Sequence, residues 1–367
     1  MQKEKVTKDS EGAFEGYLLS QVDIINRQLE EYIPKEASEE FMVRMIGKAD
    51  YTYDKEAITK SILQPTWHLL ALGGKRWRPT LMLLIIEALG KDPLKYVEFS
   101  IIPEVIHNAT LVHDDIEDMS QTRRGAPAVH VKYGDDIAIN LGGYLYYFPI
   151  VALVGSKKLD RETKDRIFML YIQEMLRVHT GQATDIAWHN ALVPVDQITE
   201  DEYLQMVYNK SGVLARMACR LGAVLGGADA QQEEVLGHLG AAIGVAFQLQ
   251  DDLLNITISK LSESKGGIGD DITEGKITLM VIYALQKANP KDKERLVEIL
   301  KMHTRDKVLI KEAIDIIDKY DGRGYVERKR ILLAKETWAE ANKILKDSAA
   351  KRRIGSLIDF LVIERSG

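Results

Sequence analysis

Four carboxylates crowd into five positions in Leu111-Val112-His113-Asp114-Asp115-Ile116-Glu117-Asp118. On a helix, Asp114 and Asp118 stand i,i+4 on one face, where like charges repel unless a cation intervenes. Hard divalent cations with oxygen ligands are the natural compensator, and Mg²⁺ typically takes one or two carboxylates together with phosphate oxygens. A solvated helix face is the bland alternative. The turns before the cluster are apolar (Val105, Ile106, Leu111, Val112), so the carboxylates end a buried helix instead. Arg123-Arg124-Gly125 follows closely and brings two guanidinium groups suited to gripping a diphosphate.

A second acidic site lies in Phe247-Gln248-Leu249-Gln250-Asp251-Asp252-Leu253-Leu254-Asn255, with Gln248, Asp251 and Asn255 sharing a helical face. The Gly/Ala-rich stretch Leu239–Phe247 before it suits close helix packing. Alone, a carboxylate pair ending a helix is ordinary. Two such sites facing each other would hold several Mg²⁺ ions around one polyanion.

The remaining marked segments are cationic. Gly73-Gly74-Lys75-Arg76-Trp77-Arg78-Pro79 places three cations after a glycine pair and ahead of a helix. Glycines let the backbone approach an anion, and a helix N-terminus adds its dipole. The spacing is not that of a Walker A loop. Lys210-Ser211-Gly212 is expected to open an apolar helix, again a good anion position, and Lys265 and Lys276 bracket a Gly-rich loop. Each cation alone is ordinary surface charge. Their occurrence beside two acidic sites points to a diphosphate.

Helical periodicity supplies the elements that must carry these residues. Apolar residues recur at three- and four-residue steps over Ile58–Leu72, Thr80–Leu89, Pro103–Met119, Arg166–Thr180, Glu233–Asn255 and Thr278–Lys287. No run of alternating strands and no internal repeat stands out. The expected fold is therefore all-α, with residues 1–15 flexible and a single domain over 16–367. The N-terminus has no apolar signal region, and the apolar run Leu81–Leu89 is half a membrane span and contains Glu87. No transmembrane segment is expected. The chain has 367 residues and a net charge of −6, which disfavours a nucleic-acid partner. Its one cysteine, Cys219, excludes a disulfide framework and fits a reducing, cytoplasmic setting.

Together these segments resemble the trans-isoprenyl diphosphate synthases from about residue 60 to 290. GGKRWRP at 73–79 is similar to that family's GGKxxRP, DDIED with RRG at 114–125 to its first Asp-rich motif, and FQLQDD at 247–252 to its second. Gly181-Gln182-Ala183-Thr184-Asp185 resembles its GQxxD, and Lys210-Ser211 its Lys-Thr/Ser pair. The stretches around His107-Asn108-Ala109, Asp185–Trp188 and Asp271–Lys276 look most like eukaryotic-type geranylgeranyl diphosphate synthases. One departure is Asn255, where the family's second motif usually ends in Asp. That subtype commonly has Asn there, which favours a hydrogen bond to diphosphate over a metal ligand.

The resemblance implies a helical bundle of the isoprenoid synthase type around an apolar cavity, acting as a homodimer. It implies a prenyltransferase in which Asp114, Asp118 and Asp251, supported by Asp115 and Asp252, hold Mg²⁺ against an allylic diphosphate. Arg123, Lys210, Ser211, Gln248, Asn255, Lys265 and Lys276 would help bind that group. Isopentenyl diphosphate would be held without metal by Lys75, Arg78, His107 and Arg124. Ionisation leaves an allylic cation that a dry cavity protects from water. The sequence offers no obvious base for the final proton, and the released diphosphate is the plausible acceptor.

The growing chain should run down the helix away from Asp114. Its first possible floor is Ala109 and Thr110, both small, which lets the chain pass deeper and favours a geranylgeranyl product. Tyr147 and its neighbours Tyr146 and Phe148 are candidates for a lower floor, with plain core packing as the alternative. Farnesyl or longer-chain synthases are the nearest alternative products. A terpene cyclase lacks support, because Ser259 stands where its second metal motif needs Glu. A non-catalytic subunit of a heteromeric synthase would normally have lost these aspartates.

Overall fold

A computed structural model describes residues 2–257 and 269–364, with side chains described within 16–362. The chain divides into two compact units. One holds residues 2–168 with Leu221–Gly227, the other Met169–Arg220 and the described residues from 228 on.

In the first unit the helices are α1 (Gln2–Tyr32), α2 (Glu39–Ile46), α3 (55–71), α4 (Trp77–Ala88), α5 (Ile101–Glu117), α6 (Val129–Tyr133), α7 (Asp135–Tyr147) and α8 (Ile150–Gly155). Apolar side chains surround α4 on all sides, and every residue from Trp77 to Ile86 is buried. The α5 helix buries Ile101, Ile102, Val105, Ile106, Ala109 and Val112, and its last turn carries the carboxylates. Between them runs the 3₁₀ turn Pro93–Ser100.

Two short strands, Thr122–Arg123 and Ala126–Pro127, pair antiparallel just after α5. Arg124 and Gly125 form their turn, both with positive φ (52° and 80°), which is the hand a two-residue hairpin requires. The sequence reading missed this hairpin, because arginine rather than asparagine precedes the glycine.

Helix α9 (Arg161–His189) runs from the first unit into the second, and α10 (200–226) returns its last turn to the first. There Gly222 lets α10 lie against α4: a Cβ at this position would sit 2.6 Å from the Met82 carbonyl oxygen. The second unit continues with α11 (Ala230–Asn255), α12 (Asp270–Thr273), α13 (Leu279–Lys287), α14 (Pro290–Lys301), α15 (Lys307–Lys319), α16 (Gly322–Ile344) and α17 (Ala349–Ile358). Its core gathers Tyr203, Leu249, Leu253, Leu279, Leu296, Ile317 and Val326 among others. Reciprocal capping boxes start α10 at Thr199 with Glu202 and α11 at Asp229 with Gln232, satisfying first-turn donors on both helices.

All six expected helical segments are helical to within a few residues. One stretch, Asp135–Gly155, has the length and hydropathy of a membrane span. Half of it is buried within the fold, and Pro149 interrupts it between α7 and α8. The basic trio Lys351-Arg352-Arg353 lies on α17, where the Lys351 ammonium donates to the carbonyls of Asn342 and Leu345. It tethers the end of α16.

Candidate active site

In the first unit, α5 presents its carboxylates through close packing on α7. Gly142 makes room for the His113 ring, since a Cβ there would lie 2.4 Å from His113 Nε2. The His113 and Tyr146 rings then meet with centroids 5.3 Å apart. Asp114 and Asp118 are partly exposed, whereas Asp115 is only 1% exposed. The Arg123 guanidinium, carried by the hairpin, donates to Asp115 Oδ1 through Nε (2.8 Å) and Nη2, and its Nη2 lies 3.6 Å from Asp114 Oδ2. Burial pushes the Asp115 carboxyl up from its ordinary range, and the Arg123 contact offsets this only in part. Asp115 Oδ2 has no partner among the described residues. Arg123, expected to face a diphosphate, is thus engaged as the counter-ion of Asp115 and Asp114.

The cationic segment lies in the same unit. Lys75 is exposed, while Arg78 is buried with its guanidinium 4.4 Å from the centroid of the Trp77 ring. Arg124 donates to the Gly73 carbonyl. His107 sits among these cations. Burial, then the charges of Arg78, Arg124, Arg123 and Arg76, hold its imidazole well below its ordinary value, so it is neutral at pH 7. Its Nδ1 is buried and has no partner among the described residues, unlike a satisfied core histidine. A neutral imidazole ringed by guanidinium groups is the charge pattern of an anion site.

The second acidic segment ends α11. Asp251 is partly exposed and Asp252 is buried. Asp252 Oδ2 accepts from the Tyr203 hydroxyl at 2.6 Å, and Oδ1 accepts from Gln248 Nε2 at 2.9 Å. Gln248 Oε1 in turn accepts from Ser211 Oγ at 2.9 Å. Burial pushes the Asp252 carboxyl up to about 6, against the pull of the Tyr203 and Gln248 hydrogen bonds. Asn255 Oδ1 accepts from the Asp271 backbone at 3.1 Å, and its carbonyl accepts from Gly269 at 2.9 Å. That side chain therefore ties down the turn into α12, a structural duty the sequence reading did not anticipate. Lys276 pairs with Glu274 at 2.5 Å, and Lys265 lies outside the described residues.

Lys210 and Ser211 require a correction. They do not open a helix; they sit in a π-helical turn, Tyr208–Gly212, in the middle of α10. No helix N-terminus is available there, so the dipole argument fails, but π-turns frequently mark functional positions. Backbone crowding explains how the turn is held. A Cβ on Gly181 would lie 2.3 Å from the Lys210 backbone nitrogen, so only glycine lets α9 approach this closely. Asp185, one turn further along α9, accepts from Lys210 Nζ at 2.6 Å. On the other side, a Cβ on Gly244 would lie 2.7 Å from the Gly212 Cα. GQATD, KSG and the glycines of α11 thus form one packing arrangement.

The two acidic pairs share a design. The first aspartate of each, Asp114 and Asp251, is partly exposed, while the second, Asp115 and Asp252, is buried and clamped by hydrogen-bond donors. All-oxygen donors suit a hard cation such as Mg²⁺. Among the described residues no three His, Cys, Asp or Glu side chains already converge on a metal-sized site. Substrate oxygens would complete such a coordination shell.

Of the chain-length candidates, Ala109 is fully buried and Thr110 donates to the His107 carbonyl at 2.8 Å. Tyr147 is 78% exposed and points outward in the described chain, because α7 turns its other face to α5. The buried neighbour, Tyr146, takes the inner position. Tyr203 escaped the sequence reading: no local motif marks it, and only its hydroxyl on the buried side of α10 hinted at a polar partner.

A family model described as polyprenyl synthetase matches residues 59–317. The chain belongs to the polyprenyl synthetase family. Over 309 residues this polyprenyl synthetase is 36% identical to a short chain isoprenyl diphosphate synthase of Methanothermobacter thermautotrophicus, covering 83% of this chain and 91% of that protein. It is 32% identical over 312 residues to a geranylgeranyl diphosphate synthase of Saccharolobus solfataricus, covering 80% and 91% of the two chains. Among solved structures, the geranylgeranyl pyrophosphate synthetase from Pyrococcus horikoshii superposes with a TM-score of 0.80 at 29% identity, covering 96% of this chain and 99% of that one. The chain is a prenyltransferase with the all-α isoprenoid synthase fold.

Proposed function

We propose that this polyprenyl synthetase condenses isopentenyl diphosphate with an allylic diphosphate to give geranylgeranyl diphosphate. The observation that carries the two-diphosphate reading is the division of charge. Asp114, Asp118 and Asp251 are partly exposed carboxylates suited to Mg²⁺, and Lys75, Arg78 and Arg124 form a separate cationic set about neutral His107. When bound, Mg²⁺ neutralises the charge that builds on the departing diphosphate.

In this reading Asp114, Asp118 and Asp251 would hold the metal, and Asp115 and Asp252 would support them, themselves held by Arg123, Tyr203 and Gln248. Lys210 and Lys276 add positive charge for the leaving group. Lys75, Arg78, His107 and Arg124 bind the second diphosphate without metal and aim its double bond. The allylic C–O bond breaks, a C–C bond forms to the isopentenyl double bond, and the released diphosphate accepts the proton that restores an alkene.

The C20 length draws on the small residues Ala109 and Thr110, one turn before Asp114, which put no bulky side chain in the way of a growing chain. The names of the relatives from Saccharolobus and Pyrococcus support the same length. Incubation of the purified chain with labelled isopentenyl diphosphate, farnesyl diphosphate and Mg²⁺ is expected to give a C20 product on chromatography. Absence of any prenyl product would overturn the catalytic reading, and a C15 or C25 product would overturn only the length.

The homodimer reading draws on α9, which exposes Phe168, Ile172 and Leu176 at successive i,i+4 positions. Ile172→Glu is expected to move the protein towards the monomer volume in size-exclusion chromatography. We place the enzyme in the cytoplasm, where the buried thiol of Cys219 stays reduced.

A further inference from the structure

Arg76 is the one cation of Gly73–Arg78 that the proposed binding roles leave unused, and its guanidinium is fully engaged. Its side chain is nearly buried, and each of its three nitrogens has a partner on a different part of the first unit. Nη1 donates to Glu104 Oε1 on α5 at 2.5 Å, Nε to Asn26 Oδ1 on α1 at 3.2 Å, and Nη2 to the Leu70 carbonyl at the end of α3 at 2.9 Å. Glu104 also accepts from Asn108 Nδ2 at 3.0 Å, and that same amide donates to the Glu104 carbonyl at 2.8 Å.

The backbone of Arg76 is left-handed (φ 48°, ψ 33°), a conformation that costs a non-glycine residue about 1 kcal/mol or more. Surrounding contacts must therefore impose it. The side-chain anchors supply that constraint, and the twist sends Lys75 to the surface while the next turn carries Arg78 inward. The far end of the clamp, Glu104 and Asn108, lies on the turn of α5 that holds His107. One buried ion pair thus fixes both sides of the anion site, the loop with Lys75 and Arg78 and the helix with His107.

We propose that Arg76 and Glu104 act as a positioning pair for the isopentenyl diphosphate site, with neither touching the substrate. The inference rests on the assignment of that site in the preceding subsection. Its sign separates it from plain electrostatics. Glu104 is an anion near a site for an anion, so removing its charge should by Coulomb's law tighten diphosphate binding. If Glu104 instead orients the loop through Arg76, its removal weakens binding.

The test uses Glu104→Gln, Arg76→Lys and the double variant in the full-length enzyme, with steady-state kinetics for each substrate and thermal melting. Positioning predicts that Glu104→Gln raises KM for isopentenyl diphosphate about tenfold, with KM for the allylic diphosphate and kcat changed less than twofold. Arg76→Lys should behave alike, and the double variant should be no worse than either single one, since both remove one clamp. Unchanged or lower KM for isopentenyl diphosphate in Glu104→Gln would overturn the proposal. Equal losses in all constants, tracking a lower melting temperature, would also overturn it in favour of a purely structural pair. Should a single variant fail to fold, the uncharged pair Arg76→Met with Glu104→Gln leaves no lone buried charge and permits the same comparison. A wild-type chain without condensation activity would refute the functional reading instead, so the two failures are distinguishable.

Discussion

The Tyr203 hydroxyl donates to Asp252 Oδ2 at 2.6 Å from 49 residues away in sequence, inside the second unit. It gives a buried carboxylate a donor beyond Gln248, while the adjacent Asp251 is partly exposed. Charge-assisted hydrogen bonds of this kind contribute about 1.5–3 kcal/mol when buried. Tyr203→Phe is therefore expected to cut kcat/KM by about tenfold or more and to raise the Mg²⁺ concentration giving half-maximal activity. Isothermal titration of Mg²⁺ in the presence of inorganic diphosphate should show the same weakening without turnover. Unchanged Mg²⁺ dependence would mean that Asp252 has no part in holding the metal.

The contact between Gly181 and the Lys210 backbone makes a second prediction with an unusual sign. In the middle of an exposed helix Gly→Ala normally stabilises by up to about 1 kcal/mol. Here the added Cβ would lie 2.3 Å from a backbone nitrogen, and backbone cannot yield as a flexible side chain can. Gly181→Ala should destabilise the protein by about 1–3 kcal/mol, as overpacking does, and displace Lys210 from Asp185. A lower urea midpoint together with lost condensation activity is the expected result. A neutral or stabilising outcome would show that α9 and α10 can separate at no cost.

The proposed product length makes a prediction about the packing of α5. Ala109 is fully buried one turn before His113, and His113 lies against Gly142 and Tyr146 of α7. Ala109→Phe would put a bulky ring one turn before the carboxylates and, on the proposed function, is expected to shift the product from C20 towards C15. Tyr146→Ala should have the opposite effect and allow longer chains, whereas Tyr147→Ala should change neither length nor rate. Chromatography of products from labelled isopentenyl diphosphate checks all three. If Ala109→Phe still gives the C20 product, the floor lies elsewhere.

The sequence was informative where information is local. Helices such as α5 and α11 announce themselves through 3.6-residue apolar periodicity, and carboxylate spacing on them follows from helix geometry. What stayed hidden depends on distant partners. Helical spacing from Asn108 and Val112 puts Asp115 on the buried face, but its pairing with Arg123 depends on a hairpin whose turn residues are atypical. Nothing near Arg76 distinguishes it from Lys75, because Glu104 and Asn26 lie on other helices. The π-turn at Lys210 is likewise invisible in its own sequence, since Gly181 on α9 is what accommodates it. Spacing found the motif residues, Arg123 and Gln248 among them, whereas Tyr203 and the Arg76–Glu104 contact depend on partners distant in sequence.

His107 links the anion site to pH. Burial and the surrounding arginines hold its folded pKa well below the ordinary 6.5, so the folded protein resists a proton that the unfolded chain accepts. Below about pH 6.5 the unfolded state binds the additional proton, and stability falls; above it this contribution levels off. Between pH 7.5 and 5.5 the loss from this one group should be up to about 1.4 kcal/mol. Urea unfolding of wild type and His107→Gln at the two pH values isolates it, since other titrating groups act in both proteins. The variant should lose less stability on acidification. Added inorganic diphosphate should reduce the wild-type loss further, because an anion beside the imidazole favours its protonated form. Equal acid sensitivity in the two proteins would show that His107 is protonated in the folded state, and the neutral donor assigned to the isopentenyl site would have to be replaced by a charged one.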